Sequence, residues 1–471
     1  VSWNRANLNQ DFGHVTGYRG VRQLQLSLKL TFKPKVGGRA SPARPPTQPG
    51  ITAPRSRQSP GVDEVDRRRF LASTAAVATA IARPIIGEIT SPPAEDHAAP
   101  TGRRPVIDVT DLYHPYQDPG DNFDLVHAYS LPEIDLRAIV LDVTQAFRLP
   151  VANDPLLWHD PNGPREPGIV PVTQLNALFD RTVPFAVSPF SAMTSMEDDL
   201  RSAPKFQQAG IELLIATLKA SEDQVDIVSF GSCRSIAAAL NREPALLLDK
   251  VRRVHVSAGT ASANYELGAS QEHNTIPGGE WNVALDLQAF RRLLASELNL
   301  GLYPCASIDG AFAYGVHNTY WNLPDRHFLR DIDPRLRNYL LFALGRQVRP
   351  DFLRCLEEPM SEGLAGDKLN DRHHVWETAI WLEVSQRKII QRAGKWSIIA
   401  ASEVESDDRI LTNQLRPCRL KVREDGRIAF RLTDEKSNIS IFMRSDPKEY
   451  EAAMREAWPA WWKTLRTSNN A

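Results

Sequence analysis

Cysteine is scarce in this chain: four in 471 residues, at Cys233, Cys305, Cys355 and Cys418. They are far apart and form no C-x-x-C pair, which argues against a zinc ribbon or a thioredoxin-like motif. Buried free thiols are the simplest reading of such a set. An excess of either charge is also missing. The 56 Lys and Arg residues against 57 Asp and Glu leave a net charge of −1, which gives no support for a nucleic-acid binder. No apolar run reaches the roughly 18 residues of a membrane span, so no membrane partner is expected of the mature form. Internal repeats are absent, and so is the Asp-x-Asp-x-Asp-Gly run of an EF-hand. What the chain does have is 42% hydrophobic residues, ample for a large core in one large domain or two.

The first hundred residues differ from the rest. Residues 1–65 are basic and rich in Pro, Gly, Ser and Arg. Such a stretch should not fold alone; it reads as disordered or as lying upstream of the natural start. Asp66-Arg67-Arg68-Arg69-Phe70-Leu71 then leads into the small-residue apolar run Ala72 to Ala82. Paired arginines before Phe-Leu and a mild apolar segment resemble a bacterial twin-arginine export signal over 66–82. Ala80-Ile81-Ala82 fits the small-x-small cleavage pattern, and 83–102, with Pro92-Pro93 and Pro100, reads as a linker. The expected destination is the periplasm.

From about residue 103 to 465 the chain alternates strand-like and helix-like segments. Leu136–Leu141, Thr182–Val187, Val225–Phe230 and Val251–Ser257 are apolar strands. Lys205–Ala220, Ile236–Leu240 and Asp286–Glu297 carry helical spacing. This rhythm predicts an α/β fold, a Rossmann-like and mostly parallel sheet with helices on both faces. His373–Lys388 reads as a helix. Ser397–Ala401, Arg419–Val422, Ile428–Leu432 and Ile439–Arg444 read as a β-rich C-terminal extension, and Asp446–Leu465 as a closing helix with Trp458, Trp461 and Trp462 as packing residues.

The most informative stretch is Val106 to Leu141. The strand Val106-Ile107 runs into Asp108, Asp111, Asp118, Asp121 and Asp124, and the next strand ends at Asp142. Carboxylates crowded where strands deliver their C-terminal ends need a cation or protons to offset their repulsion. A hard ion held by oxygens, such as Ca²⁺, is the simplest solution. In open α/β sheets ligands bind at that edge. Asp121 and Asp124, three apart at a helix start, present oxygens to one side and are favoured by the helix dipole. Asp108 and Asp111 are further candidates.

The order of these features resembles the inosine/uridine-preferring nucleoside hydrolase family. The residues that carry the resemblance are Asp118-Pro119-Gly120 with Asp121-Asn122-Phe123-Asp124, Gly231-Ser232-Cys233-Arg234-Ser235, Ser257-Ala258-Gly259, and Glu280-Trp281-Asn282 followed by Asp286. The first loop is about ten residues longer than the family pattern, and the adjacent Asp-Asp pair is replaced. The resemblance implies a Rossmann-like core, a bound Ca²⁺ and hydrolysis of the N-glycosidic bond of ribonucleosides. It implies Asp118 as general base and metal ligand, and Asp121, Asp124, Asp108 and, distally, Asp371 as metal ligands. Glu280, Trp281 and Asn282 would contact the sugar, and His374 would donate a proton. Such an enzyme takes a small-molecule nucleoside or related ribosyl compound; a homo-oligomer is left open by the sequence. Two other readings keep the same fold: a non-catalytic sugar or nucleoside binder, and a metal hydrolase of another glycoside.

Overall fold

Short apolar runs rich in Val, Ile and Leu become a central sheet buried on both faces. The computed structural model describes residues 102–145, 165–261, 280–307, 309–358 and 362–467. The segments 1–65 and 66–82, and the linker up to residue 101, lie outside the described residues. The principal elements begin with β1 (Arg104–Thr110), α1 (Gly120–Ser130), β2 (Ile134–Leu141), α2 (Ile169–Leu178), β3 (Phe185–Val187), α3 (Ala209–Ala220) and β4 (Val225–Phe230). They continue with α4 (Arg234–Arg242), β5 (Val251–Ser257), α5 (Trp281–Leu285), α6 (Leu287–Leu294), β6 (Leu300–Tyr303), β7 (Trp321–Leu323), α7 (Pro334–Leu344) and β8 (His373–Val375). The chain closes with α8 (Thr378–Val384), β9 (Arg387–Arg392), β10 (Lys395–Ala400), β11 (Asn413–Val422), β12 (Ile428–Leu432), β13 (Ile439–Arg444) and α9 (Pro447–Trp462).

The sheet runs β12-β11-β13-β6-β5-β4-β1-β2-β3. Every pairing from β3 across to β13 is parallel, and β11 and β12 add antiparallel strands at one edge. The fold is therefore α/β with a mostly parallel sheet. Its order reverses between β1 and β4, the switch point where crevices open in such sheets.

Alternation along the strands feeds two cores. Val106 and Val228 pack into one, with α1, α7 and α9. Ile107, Val109 and Ile227 pack into the other, with α3, α4 and α6. Helix α9 starts at Asp446, whose carboxylate caps the N–H groups of Lys448 and Glu449. It buries Trp458, Trp461 and Trp462 against the first core.

The C-terminal strands differ from expectation in one respect. β11 to β13 extend the central sheet, while β9 and β10 pair with each other in a separate antiparallel sheet. The helix expected over 373–388 is also corrected: this stretch is a strand, a short helix and the start of another strand. The physical reason is a partner strand, since β7 pairs with β8 and sets Asn322 opposite His374. All four cysteines are free and buried.

Candidate functional site

The site grows from the C-terminal ends of β1, β2 and β4. Asp111 follows β1, Asp142 follows β2 and Gly231 follows β4. The Gly231 backbone approaches so closely that a Cβ there would sit 3.1 Å from Asp111 Cβ and 3.2 Å from its amide nitrogen. The inserted loop then delivers Asp118, whose Oδ1 accepts the Gly120 N–H at 2.7 Å and so fastens the start of α1. A Cβ on Gly120 would lie 3.1 Å from Asp118 Oδ1 and 3.6 Å from Glu377 Oε2, so both carboxylates flank this one glycine. Helix α1 presents Asp121 and Asp124 on the same side, one turn apart.

These acids act on one another. Burial pushes the Asp111 carboxyl well above its ordinary range, and Asp118, Asp142 and Glu377 push it further. Burial does the same to Asp121, reinforced by Asp111, Asp118, Glu377 and Asp124. Asp124 is raised by burial and then by Glu377, to which it is hydrogen-bonded. A carboxyl–carboxylate hydrogen bond requires one shared proton. Glu377 itself is pushed up to about 7, by burial first and then by Asp118. Asp118 is raised by burial, against the Gly120 N–H and the nearby Arg326 guanidinium, which hold it down. Asp118 is also the most reachable: it is half-buried, whereas Asp111, Asp121, Asp124 and Glu377 are buried.

The sequence-predicted residues divide. Asp111, Asp118, Asp121, Asp124 and Asp142 come together. Asp108 lies beneath them in β1, fully buried, with both oxygens unpartnered and its carboxyl pushed up to about 8 by burial. Asp371 lies apart, half-exposed, with Arg326 at 3.5 Å and Lys368 at 3.6 Å. From the same C-terminal segment it is Glu377 that enters the acidic centre. Its signal in the sequence is a carboxylate opening a mostly apolar run, Glu377 to Val384, which also carries Glu383; that pattern is too common to single it out.

Strand geometry separates the adjacent histidines. His373 is buried against Phe123, with ring centroids 4.3 Å apart, and against Trp458. His374 points to the other side, where its Nδ1 meets the Tyr320 hydroxyl at 2.9 Å and its ring lies 4.9 Å from Phe312.

Glu280 is buried at the start of α5 and spends both carboxylate oxygens on backbone N–H groups: Gly259, Asn282 and Val283. Asn282 donates through Nδ2 to the Ser257 carbonyl at 2.7 Å, fixing its amide at the C-terminal end of β5. Trp281 is half-buried and packs beside Tyr113, Val143, Phe190 and Leu285. This block neighbours the acids through Cys305, whose thiol is raised by burial and then by Glu280, Glu377 and Asp118.

Sequence reasoning missed Arg234. This fully buried side chain bonds Asp286 at 2.9 Å, the carbonyls of Pro189, Leu285 and Val143, and Thr144 Oγ1. It also lies 3.9 Å from Asp142, whose other oxygen accepts from Ser232 at 2.7 Å. The loops after β2 and β4 are thereby locked to α6. A lone Arg two residues past a strand-ending Gly-Ser turn is the available sign.

No protein-family profile matches the chain, and no curated protein does. Solved structures similar to it include an inosine-uridine preferring nucleoside hydrolase from Bacillus anthracis, at 11% identity over 77% of this chain and 100% of that one, with a TM-score of 0.39. A purine-preferring ribonucleoside hydrolase from Gardnerella vaginalis is 13% identical over 76% of this chain and 99% of that one, with a TM-score of 0.44. A plant nucleoside hydrolase is 14% identical over 75% and 98%, with a TM-score of 0.42. Scores this low carry no argument, and the side chains themselves must supply the chemistry.

Proposed function

We propose that this chain hydrolyses the N-ribosyl bond of nucleosides or related compounds and that its acidic centre holds a hard divalent cation such as Ca²⁺. The observation that carries this reading is the gathering of Asp111, Asp118, Asp121, Asp124 and Glu377 at the switch point of a parallel sheet. The donor set is all oxygen and almost wholly buried. Asp121 Oδ2 has no hydrogen-bond partner, and a buried unpartnered carboxylate oxygen calls for a counter-ion or a proton. In chemistry and burial the set fits Ca²⁺. Asp111, Asp118, Asp121 and Glu377 would hold it, with Asp124 behind Glu377. When bound, the ion would acidify a water and fix the sugar hydroxyls.

The chain's own residues supply the rest. Breaking the C–N bond develops positive charge on the sugar. Asp118, the reachable acid, takes the proton of the attacking water, and the Gly120 N–H and Arg326 favour its ionised form. Asn282, fixed by Ser257, offers its amide oxygen to a sugar hydroxyl. Glu280 builds the turn that presents it. The twin-arginine-like segment supports a periplasmic location, where the substrate would be a small extracellular or periplasmic ribosyl compound.

One observation favours the non-catalytic reading: among the described residues no three His, Cys, Asp or Glu side chains are drawn together closely enough to hold an ion. Turnover decides between the two. Purified protein with CaCl₂ should release free base from a nucleoside panel, and Asp118→Ala should abolish release while leaving the unfolding transition nearly unchanged. Near-full activity in that variant removes Asp118 as the base; no release by the wild type across the panel favours the binder if calcium is not bound either, and a metal hydrolase of another glycoside if it is.

A further inference from the structure

Beside the acidic centre stands a wall of aromatic rings. Trp376 immediately precedes Glu377, and its backbone N–H lies 3.2 Å from Glu377 Oε2. Its indole contacts Phe312 at 5.7 Å and Tyr320 at 5.3 Å between centroids, and His374 stacks on Tyr320 at 5.8 Å. The loop carrying Phe312 is held rigidly. Asn318 bonds Gly315 N–H and the Ala313 carbonyl. The buried Arg444 donates to the carbonyls of Gly315 and Tyr320 and to Asn318 Oδ1. On this fastened loop Phe312 nevertheless stays 62% exposed. A rigid loop that displays an aromatic ring is preorganised for recognition.

The wall offers π faces and little acid. The Trp376 Nε1–H is consumed by the Cys305 carbonyl at 2.9 Å and also approaches that of Ala311 at 3.4 Å. His374 is held below the usual imidazole range by burial, then by Arg372 and Arg326, and its Nδ1 is engaged by the Tyr320 hydroxyl at 2.9 Å. Of those two cations, Arg326 is directed to the Lys368 and Arg372 carbonyls and to Asp371. Arg372 is exposed.

Resting on the hydrolase reading above, we infer that the leaving ring stacked on Trp376 and Phe312 already carries positive charge, so that the substrate class is the N-ribosylpyridiniums rather than neutral nucleosides. Electron-rich ring faces attract a cationic ring. Such a substrate needs no proton donor. The water oxygen bonds to the anomeric carbon, and the C–N bond breaks with both electrons going to the ring nitrogen. The pyridine leaves neutral, and the water's proton passes to Asp118. A purine leaving group, by contrast, takes up a proton as it departs.

The test compares nicotinamide riboside with inosine on the Ca²⁺-supplemented full chain, using wild type, Trp376→Leu, Trp376→Phe and Phe312→Ala. The exposed Phe312 can be truncated without endangering the fold. The wild type should favour nicotinamide riboside by about tenfold or more in kcat/KM. Trp376→Leu and Phe312→Ala should erode that preference chiefly through KM, and Trp376→Phe should largely restore it. Equal or faster cleavage of inosine overturns the inference and leaves the hydrolase reading standing. Release of neither ring overturns both.

Discussion

Two buried polar clusters lie side by side at the C-terminal edge of the sheet, and they are built on opposite principles. Around Arg234 opposite charges meet: Asp286 caps α6 and receives the guanidinium, Asp142 receives Ser232 through one oxygen while the other lies 3.9 Å from the guanidinium without a hydrogen bond, and three carbonyls and Thr144 Oγ1 take the remaining donors. Around Asp118 the charges are alike, Asp124 and Glu377 must share a proton, and Asp121 keeps an unpartnered oxygen. Both clusters cost desolvation. Only the first recovers it within the chain. The second stays costly within the chain alone, and that difference is what motivates the proposal of a ligand there rather than at Arg234.

The comparison breaks most visibly at Arg234. Arg234→Met leaves Asp286 and Asp142 buried without their cation, and should destabilise the protein by about 3–5 kcal/mol in urea unfolding. A loss below about 1 kcal/mol would mean that the network is dispensable.

A smaller effect should come from pH. Glu377 and Asp108 hold their protons up to about 7 and about 8 in the folded protein, whereas an unfolded chain releases them near pH 4. A carboxyl raised in this way contributes stability below its unfolded value, and that stability is lost as pH rises through the folded value. Metal-free protein should therefore lose stability between about pH 4 and pH 8, by a few kcal/mol. His127 acts in the opposite sense. Burial pushes it down to about 3, so its contribution is present above about pH 6.5 and is lost as pH falls. Thermal unfolding of wild type and Glu377→Gln across this range separates the two: the variant should show the shallower decline towards pH 8. Identical slopes would remove Glu377 from the acidic centre.

The smallest effect should be at Asp371. It is half-exposed and its ion pairs are long, so Asp371→Ala should shift stability by no more than about 0.5 kcal/mol and leave calcium affinity unaltered. A loss of affinity as large as that of a Glu377 variant would return Asp371 to the site.

The same contrast explains what could be read from the sequence. Val225–Phe230, Val251–Ser257, Ile428–Leu432 and Ile439–Arg444 are strands over the ranges expected from the residues alone, because largely buried strands are bounded by abrupt changes of polarity. The acids from Asp108 to Asp124 are legible because one short stretch of chain, the end of β1, the following loop and the start of α1, carries them all. Glu377 is not: it reaches the centre from more than 250 residues away, on a segment whose short strand depends on pairing with β7. Arg234 is hidden for a related reason. Nothing local marks a buried guanidinium whose partners come from three separate loops.

The proposal stands or falls on the like-charged cluster receiving a cation, and calorimetric titration of the metal-free protein with CaCl₂ puts this to trial with the fewest intervening steps. Saturable binding to the wild type, weakened about tenfold or more in Glu377→Gln, is the expected result. No binding heat and no rise in melting temperature at millimolar CaCl₂, or equal affinity in the variant, would refute it.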